Sequence, residues 1–304
     1  KPNHIWTKLS DEEFLLKTGA AKKGSDGELH PTIAGLLFFG DFVTIMDVLP
    51  NYFLDYRERK ATNIRWSDRV CCSDGDWSGN IFDFYFRIIG KLTADVKKPF
   101  KLDEQMMRVD DTSIHAAIRE ALANALIHAD YYGRQGIVID KDFSKITISN
   151  PGTFRISIED AIAGGVSDTR NARIFNMFSL INVGERSGSG LCDIYSTWEE
   201  NGFAKPVIQE LSDPARVVLT LETISVSDEA RNEARNEART QGLSEREIQM
   251  LDIIAIMPTV SAAMLSEQLK ISRSTVDRMI KGLKAKEYLR HEGSTKKGTW
   301  KILK

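Results

Sequence analysis

Glu120, Asn124 and His128 recur at every fourth position in a run whose intervening residues, Ala121, Leu122, Ala125, Leu126 and Ile127, are apolar. On a helix of 3.6 residues per turn the three polar groups stand one above another, and the rest of the surface is buried. A polar stripe of this kind faces a cleft. A carboxylate one turn before a carboxamide can hold a water and a hydrated magnesium ion side by side, as metal-assisted phosphate hydrolysis requires. Further along, Gly184, Gly188 and Gly190 permit positive φ and close backbone approach just before a predicted helix, whose N-terminal amides would attract phosphate. Arg186 and Ser187 could add donors there. Both features also have a plainer reading: an amphipathic helix with two polar residues at its solvent edge, and a flexible Gly-Ser loop capping the next helix.

The elements that must position these groups follow from pattern. Residues 113–130 read as the helix carrying Glu120, followed by strands at 136–140 and 145–149. A long loop with short helices comes next, then a helix at 189–200 and strands near 207–210 and 216–221. This alternation predicts a two-layer α/β sandwich with helices on one face of a mixed sheet. Upstream, Ser10-Asp11-Glu12-Glu13 reads as a helix cap with an acidic first turn. Residues 32–39 are apolar with an ambiguous period, 52–57 alternate like a strand, and 81–92 approach helical spacing.

Taken in order, the Glu120–Asp130 segment, Asn150-Pro151-Gly152 and Gly184–Gly190 resemble the N, G1 and G2 boxes of the GHKL ATPase superfamily. The closer resemblance is to the helicase-related C-terminal family of bacterial and archaeal transcriptional regulators. In those proteins such a domain follows a Schlafen-type, Alba-like DNA-binding domain. The Leu29–Gly40 segment and Asp168-Thr169-Arg170-Asn171 resemble further elements of that family. The resemblance spans residues 1–222. It implies that Glu120 acts on the attacking water and that Asn124 holds magnesium. It also implies that Asn150, Gly152, Gly184, Gly188 and Gly190 contact the nucleotide, so that ATP and Mg2+ are the expected cofactors. One departure is Asn150, where the superfamily normally has an Asp followed by two spaced glycines. An amide accepts one hydrogen bond without charge assistance, so the pattern points to a weak or non-hydrolytic site. Arg170 and Arg173 are candidates for a γ-phosphate or a neighbouring subunit, or are solvated surface arginines. His128 could contact phosphate or compensate the helix dipole.

After residue 222 the composition changes. Glu-Ala-Arg-Asn repeats from Glu229 with a period of four and no apolar stripe, so residues 223–243 read as a polar linker or solvated helix. From 244 to 304, three helices (244–255, 261–269, 272–286) and two short strands (288–291, 299–303) give the pattern of a winged helix-turn-helix. This segment carries twelve Lys/Arg against seven Asp/Glu, leaving 29 against 36 for the rest, so the positive charge is concentrated where a polyanion would bind. Arg273, Ser274, Thr275, Arg278 and Lys281 fall on the exposed side of the third helix, whose first turn is expected to meet base edges. Lys284, Lys296 and Lys297 are expected to meet phosphates.

The expected organisation is therefore an α+β chain. It comprises an α/β N-terminal part (1–110), a GHKL-like sandwich (111–222), a linker (223–243) and a winged helix (244–304). No apolar run reaches the ~20 residues of a membrane span. Cys71, Cys72 and Cys192 show neither disulfide nor zinc spacing, so a reducing cytoplasm is expected. The start at Lys1 reads as a fragment. The leading expectation is a transcriptional regulator that binds double-stranded DNA as a homodimer or higher oligomer, with a nucleotide as effector. The alternatives are a magnesium-dependent ATPase coupled to DNA transactions, although the P-loop signature of helicase motors is absent, and an oligomerisation scaffold that binds no nucleotide.

Overall fold

The computed structural model describes residues 4–59, 65–94, 96, 112–184, 188–224, 243–256, 259–269, 271–292 and 299–303. The chain forms two compact units, residues 1–226 and 227–304. The Glu-Ala-Arg-Asn repeat lies outside the described residues.

In the first unit a 3-10 turn, Ile5–Lys8, precedes α1, Asp11–Thr18. Ser10 and Glu13 form the capping box the sequence predicts, and Gly19 closes the helix in the left-handed conformation. A short hairpin follows, β1 (Ala21–Lys23) against β2 (Leu29–Pro31), and then α2 (Ile33–Phe39) and α3 (Phe42–Val48). The ambiguous 32–39 segment is thus a capped helix. The Thr32 hydroxyl accepts from the Gly35 amide at 3.1 Å and donates to the Gly19 carbonyl at 2.7 Å. Gly35 lies so close to the preceding chain that a Cβ there would stand 1.9 Å from the Ala20 carbonyl oxygen.

Strands β3 (Leu54–Arg59) and β4 (Asp68–Cys71) and helix α4 (Ile81–Thr93) complete the first hundred residues. Next come α5 (Ser113–His128), β5 (Ile137–Asp142), β6 (Lys145–Pro151), α6 (Ile158–Ala163), α7 (Ala172–Leu180), α8 (Gly190–Glu200), β7 (Val207–Ser212) and β8 (Ala215–Glu222). The six long strands make one mixed sheet, ordered β4-β3-β5-β6-β8-β7, in which β3 and β5 run parallel and the other neighbours antiparallel. Strand alternation sends Leu54, Tyr56, Ile137, Ile139, Ile146, Ile148, Leu219 and Leu221 to the helix-covered face. There they join Phe84 and Ile88 of α4, Leu122 and Leu126 of α5, and Ile194 and Trp198 of α8 in one core. Residue 110 divides no core: β3 and β5 share the sheet across it.

The second unit holds α9 (Glu245–Ile256), α10 (Ala262–Leu269), α11 (Arg273–Ala285) and the antiparallel pair β9 (Leu289–Glu292) and β10 (Thr299–Ile302). Val276, Ile280 and Leu283 of α11 pack with Leu243, Ile254, Leu265 and Leu289 in a core of their own. The turn between α10 and α11 is fixed by Ser266, whose hydroxyl donates to the Ile271 carbonyl at 2.6 Å and whose carbonyl accepts from the Ile271 amide at 3.1 Å. Lys286, after α11, reaches Glu247 of α9 at 3.5 Å.

The contact under Gly35 makes a sharp prediction. Gly35→Ala must push α2 off the Ala20 carbonyl, and overpacking of this kind costs about 1–3 kcal/mol. Urea unfolding should show a lower midpoint with an unchanged slope; an unmoved midpoint would mean the helix shifts freely.

Candidate functional site

Helix α5 lies beneath a cleft that the sheet closes on one side and α8 on another. Glu120, Asn124 and His128 line it from α5, Ile148 and Asn150 from β6, Val217 and Leu219 from β8, and Gly188, Gly190 and Leu191 from the start of α8. Its rim comes from residues 153–156 and 166–170. The inner walls are apolar, through Ala121, Ala125, Ile148, Val217 and Leu219, and the polar groups sit around them.

The two carboxamides are the informative groups. Asn124 is half-buried, and its side chain has no hydrogen-bond partner among the described residues. Asn150 makes one side-chain hydrogen bond among them, donating 3.5 Å to the Pro151 carbonyl, which leaves its own carbonyl oxygen as an acceptor. Half-buried amides are normally paired, so two in one cleft point to an external partner. The N-terminus of α8 adds to this. Ser10, Thr32, Asp41, Asn80, Ser157 and Ser272 cap their helices with side-chain oxygens, but Ser189 makes no such bond for α8. The first amides of a helix without a side-chain cap attract anions.

Gly190 sets the geometry between the two helices. A Cβ on it would stand 2.5 Å from Glu120 Oε1 and 3.0 Å from Asn124 Nδ2, so only glycine lets the start of α8 reach the carboxylate and the carboxamide. Gly188, with φ +69°, gives its carbonyl to the Gly165 amide at 3.1 Å and packs against Val166, fastening the rim loop to α8.

Two of the predicted glycines sit elsewhere. Gly152, with φ +99°, does not line the cleft; its missing side chain makes room for Asp130, whose Cβ would be 3.0 Å away, and its amide bonds the Ala215 carbonyl. Gly184 lines a neighbouring cavity, which shares Glu120 and Gly190 with the cleft and also includes Tyr85, Arg119 and Asp193. Arg186 and Ser187 lie outside the described residues.

The Arg170-Asn171 pair works on the backbone. Asn171 Nδ2 donates to the Ile127 and Ala129 carbonyls at 2.8 and 2.7 Å, and Arg170 donates to His128 O at 3.1 Å and Thr153 O at 2.8 Å. Together they cap the end of α5, a role that the chain gives no local signal for. Arg173 packs its side chain against Gly19 instead of facing the cleft. Across the mouth Arg155 pairs with Asp168 at 3.2 Å.

The surroundings of His128 disfavour the cationic form that dipole compensation would use. Burial, and then the charge of Arg170, hold its pKa below the usual imidazole value.

In the second unit Arg273, Ser274, Arg278, Lys281 and Lys284 are exposed and Thr275 is half-buried. The Ser272 hydroxyl caps α11 and also meets the hydroxyls of Ser274 and Thr275 at 2.9 and 2.8 Å, so both are engaged in the cap. Lys284 Nζ lies over the Trp300 ring, 5.1 Å from its centroid. Lys296 and Lys297 lie outside the described residues.

Comparison with known families now bears on this geometry. Residues 137–219 match the family described as "Putative ATP-dependent DNA helicase recG C-terminal", and residues 241–298 match the MarR family. The chain carries a recG C-terminal-type domain followed by a MarR-type winged helix. Residues 1–55 match a domain of unknown function (DUF8451). The recG C-terminal-type match includes Asn150 and the α8 glycines, while Glu120 and Asn124 precede it. No curated protein matches the chain. Among solved structures, the DIP2311 protein from Corynebacterium diphtheriae superposes with a TM-score of 0.56 at 18% identity, over 99% of this chain and 59% of that one. That likeness is one of fold, and the chain spans well under two thirds of that protein. Among the described residues no helix is long and apolar enough to cross a membrane, and no group of three or more His, Cys, Asp or Glu could hold a metal ion.

The lowered pKa of His128 predicts a pH dependence. The unfolded chain takes up this proton first, so the contribution of His128 is complete above about pH 6.5 and is lost as pH falls from there toward the folded pKa. His128→Gln should flatten the fall in unfolding free energy between about pH 7.5 and pH 5.5. An identical slope would place the shift on another histidine.

Proposed function

We propose that this chain is a DNA-binding regulator whose first unit holds a nucleotide. The observation that carries this reading is the convergence of the Asn124 carboxamide, unpaired among the described residues, the Asn150 carbonyl oxygen and the α8 N-terminus on one cleft of a chain that also bears a MarR-type winged helix. The donor set suits the ligand. A flat base would lie against the apolar lining of Ala121, Ala125, Ile148, Val217 and Leu219, with the Asn150 carbonyl as acceptor for an exocyclic amine. Phosphates would meet the first amides of α8, close to Asn124.

Magnesium, when bound with the nucleotide, would neutralise phosphate charge and polarise the phosphoryl group. Asn124 would hold it through its carbonyl oxygen. Glu120, one turn earlier and beside Gly190, would orient a water from that position. That placement is the reason to keep the second reading, a magnesium-dependent ATPase. The sensor reading is favoured by Asn150, whose uncharged acceptor gives a weaker grip on adenine than a carboxylate. On either reading the winged helix engages double-stranded DNA through α11, with Arg273 and Arg278 toward base edges, and Lys281, exposed on the same helix, adds positive charge. Pairing of two copies on a symmetric site is the oligomeric arrangement this module suits, and a cytoplasmic location accords with it.

Titration calorimetry of the purified chain with ATP and magnesium should give saturable heat. Asn124→Ala should weaken the magnesium-dependent part at least about tenfold, equivalent to ~1.4 kcal/mol, while Glu120→Gln binds normally. Absence of heat would leave the scaffold reading, and sustained phosphate release abolished by Glu120→Gln would make the protein an ATPase.

On DNA, Arg273→Ala and Arg278→Ala should each remove about 1–3 kcal/mol of discrimination between a selected site and random duplex. Equal losses on both would reassign these side chains to the backbone.

A further inference from the structure

The outer face of the sheet, opposite the core, carries an arginine cluster that the nucleotide cleft does not use. Asp55, Arg57 and Arg59 alternate along β3 and so point to one face. Arg57 is paired in register with Arg69 of β4 on one side and with Asp140 of β5 on the other. Arg65 follows close by, in the connection that leads into β4. Two like charges directly opposite each other across a strand pair are destabilising, so the Arg57–Arg69 pair needs a reason.

Part of the reason is Asp55. It is fully buried and accepts from Arg57 Nε at 2.7 Å and from Arg69 Nε and Nη2 at 2.8 and 3.0 Å. Asp140 accepts from Arg59 at 2.8 Å. The other carboxylates of this ribbon are engaged elsewhere: Asp68 with Lys91, and Glu58 with Tyr56 and Lys141. Among the described residues Arg57, Arg59 and Arg69 share two carboxylates, and Arg65 meets none. Trp66 gathers them, with Arg65 and Arg69 over its ring at 4.2 and 4.5 Å and Arg57 at 5.9 Å. Stacked guanidinium groups keep a fixed orientation, with their remaining N–H groups directed outward. The cluster lies at the β4 edge of the sheet.

We propose that this β3–β4 ribbon is a second DNA contact that grips the phosphate backbone without reading sequence. An excess of pre-oriented guanidinium groups is the chemistry that matches phosphate oxygens in bidentate fashion. Arg65 and Arg69 already lie over the indole and compete with any base that would stack there, so the contact is assigned to backbone and not to unpaired bases. The inference extends the DNA-binding reading of the winged helix to a separate surface.

The test uses the full chain and two unrelated duplexes of about 40 base pairs, with binding measured by fluorescence anisotropy across a sodium chloride series. In Arg59→Gln/Arg65→Gln, the slope of log affinity against log salt should fall by about 1.8, at 0.9 per phosphate contact, with the same loss on both duplexes. Arg59→Lys/Arg65→Lys should retain most of the slope. An unchanged slope in a folded Gln variant overturns the proposal. Arg273→Ala/Arg278→Ala, tested in parallel, separates the two surfaces: loss of discrimination there with no effect of the ribbon variant leaves the winged helix standing alone, and the reverse leaves the ribbon as the DNA site. Should the Gln variant fail to fold, the wild-type chain still decides. DNA should protect Arg59 and Arg65 from phenylglyoxal as read by mass spectrometry, and equal modification with and without DNA overturns the proposal.

Discussion

Helix α5 ends without a glycine, its C-cap residue Ala129 being extended; Tyr131 takes the Leu126 carbonyl, and those of Ile127, His128 and Ala129 are satisfied from more than 40 residues along the chain. Asn171 takes two of them and Arg170 a third. Buried carbonyls left open would cost about 1–3 kcal/mol each, so these bonds hold the 166–171 rim to the helix that carries Glu120 and Asn124. The end of β6 is drawn in as well, since the Asp130 amide bonds the Pro151 carbonyl at 2.8 Å. The floor, rim and one wall of the cleft are fixed by the same few backbone groups. Gly190 then admits α8 to the remaining side.

Local signals were legible in the sequence where the physics is local. The Ser10 capping box, the 16-residue helix with its polar stripe, the strands β5, β6, β7 and β8 and the three helices of the second unit all follow from periodicity and capping chemistry. Glu120, Asn124, Asn150, Gly188 and Gly190 do share one cleft. What the sequence hid depends on distant contacts. Nothing near Gly152 announces that it makes room for Asp130, and Asn171 carries no mark of a helix end at Ala129. The parallel pairing of β3 with β5 has no periodicity to betray it. The 32–39 segment was ambiguous because seven apolar or small residues suit a strand or a helix equally, and the Thr32 cap decides between them.

The two units differ in how they satisfy polar groups. In the winged helix they are met within a few residues: Ser244 with Glu247, Ser261 with Met264, Ser272 with Thr275. Among the described residues the long-range ties are Lys286 with Glu247 and Trp300, whose indole donates 3.0 Å to the Val260 carbonyl while its ring meets His291 edge-on. In the first unit the decisive bonds cross the chain. Substitutions in the winged helix therefore act on surface charge with little effect on its frame, whereas those around the cleft move frame and site together.

The position of β3 in the sheet has a consequence for synthesis. Its parallel partner β5 lies roughly 80 residues further on, so at ribosomal rates of about 5–20 residues per second the β3–β4 ribbon waits ~4–16 s for that neighbour. Until then the edge of β3 that β5 will cover offers open amides and carbonyls to any other strand. Charged side chains are what natural sheets use to discourage such pairing. Arg57 and Arg59 therefore guard a nascent edge before they become part of a finished surface, and the segment from residue 137 onward completes a sheet already begun.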